Sequence, residues 1–286
     1  MDIEKILESI NSNEKLGNSF SQSVYLIDKD KILKMYNNLD KGKNELDYLN
    51  YFNGNLNVPV VLDSGMYDNR FYIIMDYVEG ENYTDEEEFV LENDMYKKIG
   101  SLLGSMHNLD PLKEDTWKSY MLYRVERNYE FLKSKNIDLD IDSCYEYLKN
   151  VISTLSYESH PMHADFRMGN LILGKDPYLI DLESVKSGDP VFDFVKLYRI
   201  FSKDKFSLFK EGYESVRKLD SDFLDKLHFY NLYDSFTTMG WCIEVNRYES
   251  DFYNFNKKFF KEEMNYLCEK GVIQKERSMD SSSLKK

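Results

Sequence analysis

The sequence predicts an α+β chain with two lobes, a small β-rich N-terminal lobe and a larger helical C-terminal lobe. Short β-prone runs separated by turns fill most of residues 1–80. The apolar residues change to helical spacing after Gly80. Two further β-prone runs interrupt that helical pattern within residues 161–183. We therefore predict lobes over residues 1–80 and 81–274, followed by a polar, serine-rich tail over residues 275–286 that is expected to be disordered.

The N-terminal lobe is expected to contain four strands and one helix. The predicted strands are SVYLID, KILKMY, VPVVLDSGM and RFYIIMDYVEG. The first two are separated by a short charged turn and predict a hairpin. The last is apolar enough to be a central strand of a sheet. Between the two pairs, DKGKNELDYLNYFN has helical spacing, with Asp40 as its expected N-cap.

The C-terminal lobe is expected to be helical except for one β-hairpin. Helical spacing begins in DEEEFVLENDMYKKIGSLLGSMHNL, residues 85–109. Further helices are predicted around residues 117–135, 143–157, 205–218, 222–247 and 251–269. The hairpin consists of NLIL and YLID, which are joined by the turn sequence GKDP.

Charge and composition restrict the possible partners and compartment. The net charge of −14 argues against nucleic acid, whose binding proteins carry Lys and Arg on one face. Acidity is compatible with a cationic substrate, but the charge is spread over both lobes and says more about solubility. No apolar run approaches the roughly 20 residues of a membrane helix. The acidic N-terminus argues against a secretory signal, and three widely spaced cysteines favour free thiols, so we predict a cytoplasmic protein.

A cluster of polar residues lies between two apolar runs, in HADFRMGN. His163, Asp165 and Asn170 match the spacing H-x-D-x4-N of a kinase catalytic loop. Phosphoryl transfer to a hydroxyl needs a carboxylate to orient that hydroxyl and oxygen ligands for Mg²⁺. Asp181 follows the second strand of the hairpin, where its carboxylate can point back toward Asn170. An ordinary polar turn and a turn-capping aspartate are the alternative interpretations.

A lysine and a glutamate upstream supply the remaining parts of such a site. Lys34 ends the apolar run KILK, where an ammonium group suits nucleotide phosphates. Glu45 lies on the following predicted helix and is placed to pair with it. A solvated lysine and a solvated helical glutamate are the alternatives for each residue taken alone. The order of all these elements along the chain favours a kinase.

The sequence resembles the aminoglycoside phosphotransferase and choline kinase-like family of small-molecule kinases. The resemblance covers roughly residues 14–270 and is strongest in HADFRMGNLIL and YLIDLESVKSGDPVFDF. It implies the bilobal protein-kinase-like fold, with residues 1–80 as the nucleotide-binding lobe. It also implies the use of ATP or GTP with Mg²⁺.

The resemblance implies a role for each matched residue. Asp165 would be the catalytic base, with Asn170 and Asp181 as metal ligands and His163 bracing the loop. Lys34 would hold phosphate with Glu45 as its partner. The hinge MDYVEG would meet adenine through its backbone, and two serines of the preceding loop would meet phosphate. These nucleotide-contacting residues are Ser19, Ser21, Asp76, Tyr77 and Val78.

The chain departs from the kinase pattern in three places. The glycine-rich loop is reduced to LGNSFSQSVY, in which serines stand where glycines are expected. The metal motif is Asp-Leu-Glu, so Glu183 could add a metal contact or only line the site. No A-P-E segment follows, which argues against a protein kinase.

These observations predict an enzyme that transfers the γ-phosphate of ATP or GTP to a hydroxyl of a small molecule. We favour an aminoglycoside-type antibiotic as the acceptor, and hence a role in antibiotic resistance. The alternatives are a metabolite kinase acting on choline, ethanolamine or a sugar, and an inactive nucleotide-binding pseudokinase. Asp234, Trp241 and Glu244 are candidate substrate contacts, because carboxylates suit amino sugars and aromatic faces suit quaternary ammonium groups. They are equally explained as ordinary core and surface residues.

Overall fold

The computed structural model describes residues 3–9, 15–18, 22–84, 90–135 and 137–273. The α+β class is confirmed, with a β-sheet in the N-terminal region and helices in the C-terminal region. Among the described residues, no helix is long and apolar enough to cross a membrane. The predicted disordered tail lies outside the described residues.

The chain divides into two compact units. The first falls within Met1–Asp115 and Ser159–Asp220, and the second within Thr116–Glu158 and Ser221–Lys286. This division does not follow the single boundary that we predict at Gly80. The reason is that the first long helix of the C-terminal part and the polar loop both group with the N-terminal strands. The two predicted lobes therefore remain a prediction.

In the first unit, five of the described strands form an antiparallel sheet in the order β1-β2-β3-β5-β4. These strands are β1 (Lys15–Asn18), β2 (Gln22–Ile27), β3 (Lys31–Tyr36), β4 (Val61–Tyr67) and β5 (Arg70–Asp76). Leu33 on β3 and Ile73 and Ile74 on β5 are completely buried. The central position of β3 and β5 explains why their sequences are apolar.

Two helices accompany this sheet. The first, α1 (Ile3–Ser9), was not predicted from the sequence. Its Ile3, Ile6 and Leu7 pack against the buried cluster that includes Leu33. The second helix, α2 (Leu39–Phe52), has Asn38 as its N-cap, because the Asn38 side chain accepts a hydrogen bond from the N–H of Lys41 at 3.0 Å. The expectation that Asp40 caps this helix was wrong, since Asp40 already lies in its first turn.

The rest of the first unit combines three helices with short strands. They are α3 (Asn93–His107), β6 (His160–Met162), β7 (Leu171–Leu173), β8 (Pro177–Leu179), β9 (Lys186–Gly188), α6 (Val195–Ile200) and α7 (Lys203–Glu214). The predicted hairpin is present as the antiparallel pair β7 and β8, and β6 pairs with β9. The helix predicted over residues 85–109 begins only at Asn93. Residues 85–89 lie outside the described part, and Val90, the first described residue after them, is 94% exposed.

Two glycines allow α3 and α7 to pack closely. A Cβ atom on Gly100 would lie 1.9 Å from the carbonyl oxygen of Phe209, and one on Gly212 would lie 1.9 Å from that of Lys97. Both distances are far below van der Waals contact. Any larger residue at these positions would push the two helices apart.

The second unit contains α4 (Trp117–Lys133), α5 (Ile141–Thr154), α8 (Phe223–Glu244) and α9 (Asp251–Glu269). Trp117 is buried and its indole N–H donates to the hydroxyl of Tyr230. Glu263 is also buried, and it accepts from Asn231 at 2.5 Å and contacts His228 at 2.8 Å. This unit therefore joins an aromatic core to a satisfied polar cluster.

Candidate active site

Lys34 on β3 is held between two carboxylates. Its Nζ lies 2.7 Å from Oε1 of Glu45 on α2 and 3.1 Å from Oδ1 of Asp181. The hydroxyl of Tyr36 donates to the other oxygen of Glu45 at 2.6 Å. Burial by itself would lower the pKa of Lys34, but the two carboxylates outweigh it and raise the pKa. The ammonium is therefore charged and fixed in direction.

Asp181 follows β8 in a strained conformation. Its φ of 63° and ψ of 57° place it in the left-handed region, which non-glycine residues seldom adopt. Besides Lys34, Gln22 on β2 donates to its Oδ1 at 2.6 Å. Burial favours the protonated form, yet the Lys34 charge outweighs it and lowers the pKa of Asp181. The structure thus fixes an ionised carboxylate beside the ammonium.

Asp165 is surrounded by hydrogen-bond donors. Lys196 on α6 places Nζ 2.6 Å from Oδ1, while Arg167 places Nε 3.3 Å from Oδ2. The amide Nδ2 of Asn170 donates to Oδ2 at 3.0 Å and to the backbone carbonyl of Asp165 at 2.8 Å. Burial would raise the pKa of Asp165, but Lys196 and Arg167 outweigh it and hold the pKa well below its usual range. Such a carboxylate can orient a hydroxyl but is a weak base.

The backbone of this loop is anchored by Asp193. The N–H groups of His163 and Ala164 donate to the two oxygens of Asp193 at 2.6 and 2.8 Å. Ala164 has a φ of 62°, which this double contact holds in place. Nε2 of the buried His107 on α3 also lies 3.1 Å from Asp193. Asp193 therefore fixes the backbone of the loop that carries Asp165.

The loop is joined to Asp181 through the β-hairpin. His163 donates from Nε2 to the carbonyl of Ile180 at 3.1 Å, and the N–H of Ile180 donates to the carbonyl of Asn170 at 3.0 Å. Both contacts reach the residue immediately before Asp181. His163 and Asn170 therefore connect the loop of Asp165 to the loop of Asp181.

The oxygen atoms of Asn170 and Asp181 form a donor set that suits Mg²⁺. The amide nitrogen of Asn170 is used by Asp165, so its Oδ1 is the atom that could ligate a cation. Among the described residues, no group of three or more His, Cys, Asp or Glu side chains is placed to hold a metal. Mg²⁺ is commonly held by one or two carboxylates together with substrate phosphates, so a two-residue set fits this ion.

Glu183 is engaged by α2. Nζ of Lys41 lies 2.7 Å from its Oε1, and Asn44 donates to the carbonyls of Glu183 and Val185 at 3.1 and 2.9 Å. These contacts fasten α2 to the segment after Asp181. Of the two interpretations of Glu183, the ion pair with Lys41 favours the one in which it lines the site.

The predicted hinge, residues 75–80, begins in the last two residues of β5. The N–H of Asp76 donates to the carbonyl of Val60, and the N–H of Tyr77 donates to that of Asp30. These donors are used within the protein, so a base would have to be met by Val78 or by the carbonyl groups. At Gly80, the last residue of the hinge, the chain passes close to the backbone of β7. A Cβ atom on Gly80 would lie 2.8 Å from the carbonyl oxygen of Leu173.

The other predicted site residues are not brought to this cluster by any described contact. Ser19 and Ser21 lie outside the described residues. Asp234 is buried on α8, Trp241 makes an edge-on contact with Phe252, and Glu244 forms an ion pair with Arg127. All three lie in the second unit, and their role in substrate binding stays a prediction.

Four residues of the site were missed by the sequence analysis. These are Gln22, Tyr36, Arg167 and Lys196. Arg167 lies within the quoted loop and could have been chosen as a cation two residues after Asp165. No local signal distinguishes the others, because their contacts depend on how distant elements pack.

Comparison with known proteins identifies the family. Residues 13–224 match the family model described as the phosphotransferase enzyme family. The chain belongs to this family. The phosphotransferase is therefore a small-molecule kinase, as its sequence predicts. No curated protein matches the sequence.

Solved structures share the fold of this phosphotransferase. An APH(2") aminoglycoside phosphotransferase, solved with GDP and kanamycin, is 17% identical with a TM-score of 0.69 over 92% of this chain and 97% of that chain. A thermostable mutant of the aminoglycoside phosphotransferase APH(4)-Ia is 14% identical with a TM-score of 0.71 over 92% and 97%. A candidate fructosamine-3-kinase from Haemophilus somnus 129PT is 16% identical with a TM-score of 0.65 over 88% and 90%. These similarities confirm the protein-kinase-like fold.

Proposed function

We propose that this phosphotransferase transfers the γ-phosphate of ATP or GTP to a hydroxyl of a small molecule, with Mg²⁺ as cofactor. An aminoglycoside is the favoured acceptor, which would make the protein an antibiotic-resistance enzyme. Similar structures were solved with GDP and kanamycin and with ATP and streptomycin, which supports a nucleotide and an aminoglycoside as ligands. Substrate binding by Asp234, Trp241 and Glu244 belongs to the same proposal.

Each residue of the candidate active site has a role in the proposed reaction. Lys34, fixed by Glu45, would bind nucleotide phosphate, and the hinge around Val78 would meet the base. Asn170 and Asp181 would hold Mg²⁺, which when bound offsets charge on the phosphate oxygens. Asp165 would accept a hydrogen bond from the acceptor hydroxyl and direct its oxygen at phosphorus.

The observation that carries the proposal is the contact of Lys34 with both Glu45 and Asp181. It joins β3, α2 and the segment after β8, three elements that are far apart in sequence. Burying a lysine with two carboxylate partners has a high desolvation cost. A role for this cation in binding phosphate would explain why the buried lysine is present. The contacts of Asn170 place the loop of Asp165 at the same segment.

The proposal is tested by nucleotide release across a panel of acceptors. The panel comprises aminoglycosides, macrolides, choline, ethanolamine and sugars, each with ATP and with GTP and with and without Mg²⁺. The proposal is supported if nucleoside diphosphate increases only in the presence of one acceptor class. Mass spectrometry should then detect the phosphorylated acceptor. Nucleotide binding without transfer to any acceptor would instead support the pseudokinase.

A metabolite kinase is the second candidate, and among its acceptors the surroundings of Asp165 favour a sugar over choline or ethanolamine. Lys196 and Arg167 both contact this carboxylate, so the local charge beside the accepting hydroxyl is positive. A positive surrounding suits a hydroxyl on a neutral or anionic part of the acceptor. The fold shared with the candidate fructosamine-3-kinase is in keeping with this alternative. The sugars in the panel distinguish the two.

A further inference from the structure

Lys196 makes the closest described contact of a cation with Asp165. Its Nζ lies 2.6 Å from Oδ1, whereas Nε of Arg167 lies 3.3 Å from Oδ2. Lys196 lies outside the H-x-D-x4-N loop. The roles proposed above for Lys34 and for the metal ligands do not involve it. It nevertheless contacts the carboxylate that is proposed to orient the acceptor hydroxyl.

The position of Lys196 is tied to the catalytic loop. Asp193 accepts hydrogen bonds from the N–H groups of His163 and Ala164, directly before Asp165. The helix α6 begins at Val195, two residues after Asp193, and Lys196 lies in its first turn. Asp193 thus lies next to both the loop that carries Asp165 and the start of the helix that carries Lys196.

The pair is partly exposed. The side chains of Lys196 and Asp165 are each 31% exposed, while that of Lys34 is 8% exposed. An ion pair at this exposure contributes little to stability. Lys196 also lies against Oδ1, one of the two oxygens that an acceptor hydroxyl could reach. A cation in a partly exposed pair is able to leave its carboxylate for another anion.

We propose that Lys196 contacts the γ-phosphoryl group during transfer. This inference rests on the proposed function. When nucleotide binds, the ammonium moves from Oδ1 of Asp165 to an oxygen of the γ-phosphate, and the acceptor hydroxyl then takes its place on Asp165. The acceptor oxygen forms a bond to phosphorus as the bond from phosphorus to the β–γ bridging oxygen breaks. The nucleoside diphosphate leaves with that electron pair, and the hydroxyl proton is released to solvent as the new ester bond forms.

The inference is tested by comparing two nucleotides that differ in the γ-phosphate. Affinities for AMP-PNP and for ADP, each with Mg²⁺, are measured by calorimetry for wild type, Lys196→Met, Lys196→Gln and Lys196→Arg. Because one charge-assisted contact is lost, Lys196→Met and Lys196→Gln should bind AMP-PNP about tenfold or more weakly. ADP affinity should stay within about twofold for all variants, and Lys196→Arg should keep most of the AMP-PNP affinity. Lys203→Met, an exposed lysine at the start of α7, is the matched control.

The outcomes separate the inference from the proposed function. A loss confined to AMP-PNP supports contact of Lys196 with the γ-phosphate. An equal loss for both nucleotides, or none for either, overturns it, because a structural role would not distinguish them. Using both Met and Gln keeps the test valid where one variant folds poorly, which melting without ligand would reveal. If wild-type protein binds only GMP-PNP and GDP, the same comparison is made with that pair. If it binds neither the adenine nor the guanine nucleotides, the proposed function itself fails and the inference falls with it.

Discussion

Nζ of Lys34 lies 3.1 Å from Oδ1 of Asp181, although 147 residues separate them in sequence. The contact joins the central strand β3 to the segment that follows β8. Glu45 completes the arrangement from α2, and all three residues are predicted from sequence as parts of one site. The predictions below follow from this cluster and from the loop packed beside it.

Removing the cation of this cluster should destabilise the fold. Lys34→Met would leave Glu45, which is 1% exposed, without its ammonium partner. Breaking a buried ion pair in this way costs about 3–5 kcal/mol of unfolding free energy. Urea denaturation of the variant measures the loss. Lys31→Met, on the same strand but with an exposed partner in Asp28, is the control and should leave the midpoint unchanged.

Asp165→Asn should abolish turnover while nucleotide affinity stays within several-fold of wild type. The substitution removes the charge that orients the acceptor hydroxyl, but Asp165 is expected to touch the acceptor and not the nucleotide. A coupled assay and calorimetric titration measure the two effects separately. Undiminished phosphoryl transfer by Asp165→Asn would refute its assignment as the catalytic carboxylate.

Protein stability should fall when the pH drops below about 6.5, the ordinary pKa of histidine. His107 is completely buried, and burial lowers its pKa despite the opposing effect of Asp193. Below pH 6.5 the unfolded chain therefore binds a proton at this residue that the folded chain does not bind. As the pH falls further, the free energy of unfolding decreases by up to about 1.4 kcal/mol per pH unit until the lowered pKa is reached.

The comparison with His107→Gln isolates this effect from other titrating groups. Unfolding of both proteins is followed between pH 7.5 and pH 5, and the difference between their slopes belongs to His107. A wild-type slope that persists unchanged in His107→Gln would show that another group is responsible.

Much of the site could be predicted because its residues lie in short motifs. Asp165, Asn170 and Asp181 lie within seventeen consecutive residues, so spacing along the chain reports their proximity. The hairpin between them is marked by a Gly-Lys-Asp-Pro turn, and β7 and β8 form as predicted. Local sequence was sufficient for these elements because local contacts decide them.

The remaining contacts could not be predicted because distant elements supply them. Gln22 reaches Asp181 from β2, a strand of a different sheet. Lys196 reaches Asp165 from a helix of only six residues, which is too short to show a helical periodicity. The N-cap of α2 was placed two residues late, since Asn38 and Asp40 are both good caps and only the observed hydrogen bond separates them.

The metal assignment is the central claim, and Asp181→Ala tests it most directly. Removing this carboxylate leaves Asn170 as a neutral ligand, so AMP-PNP with Mg²⁺ should bind about tenfold to hundredfold more weakly, the cost of one charge-assisted contact. Thermal-shift titrations of AMP-PNP with and without Mg²⁺ measure it. We predict a Mg²⁺-dependent shift in wild type that is strongly reduced in Asp181→Ala. A wild-type Mg²⁺-dependent shift in the variant would contradict the account and place the metal elsewhere, with Glu183 as the first residue to substitute.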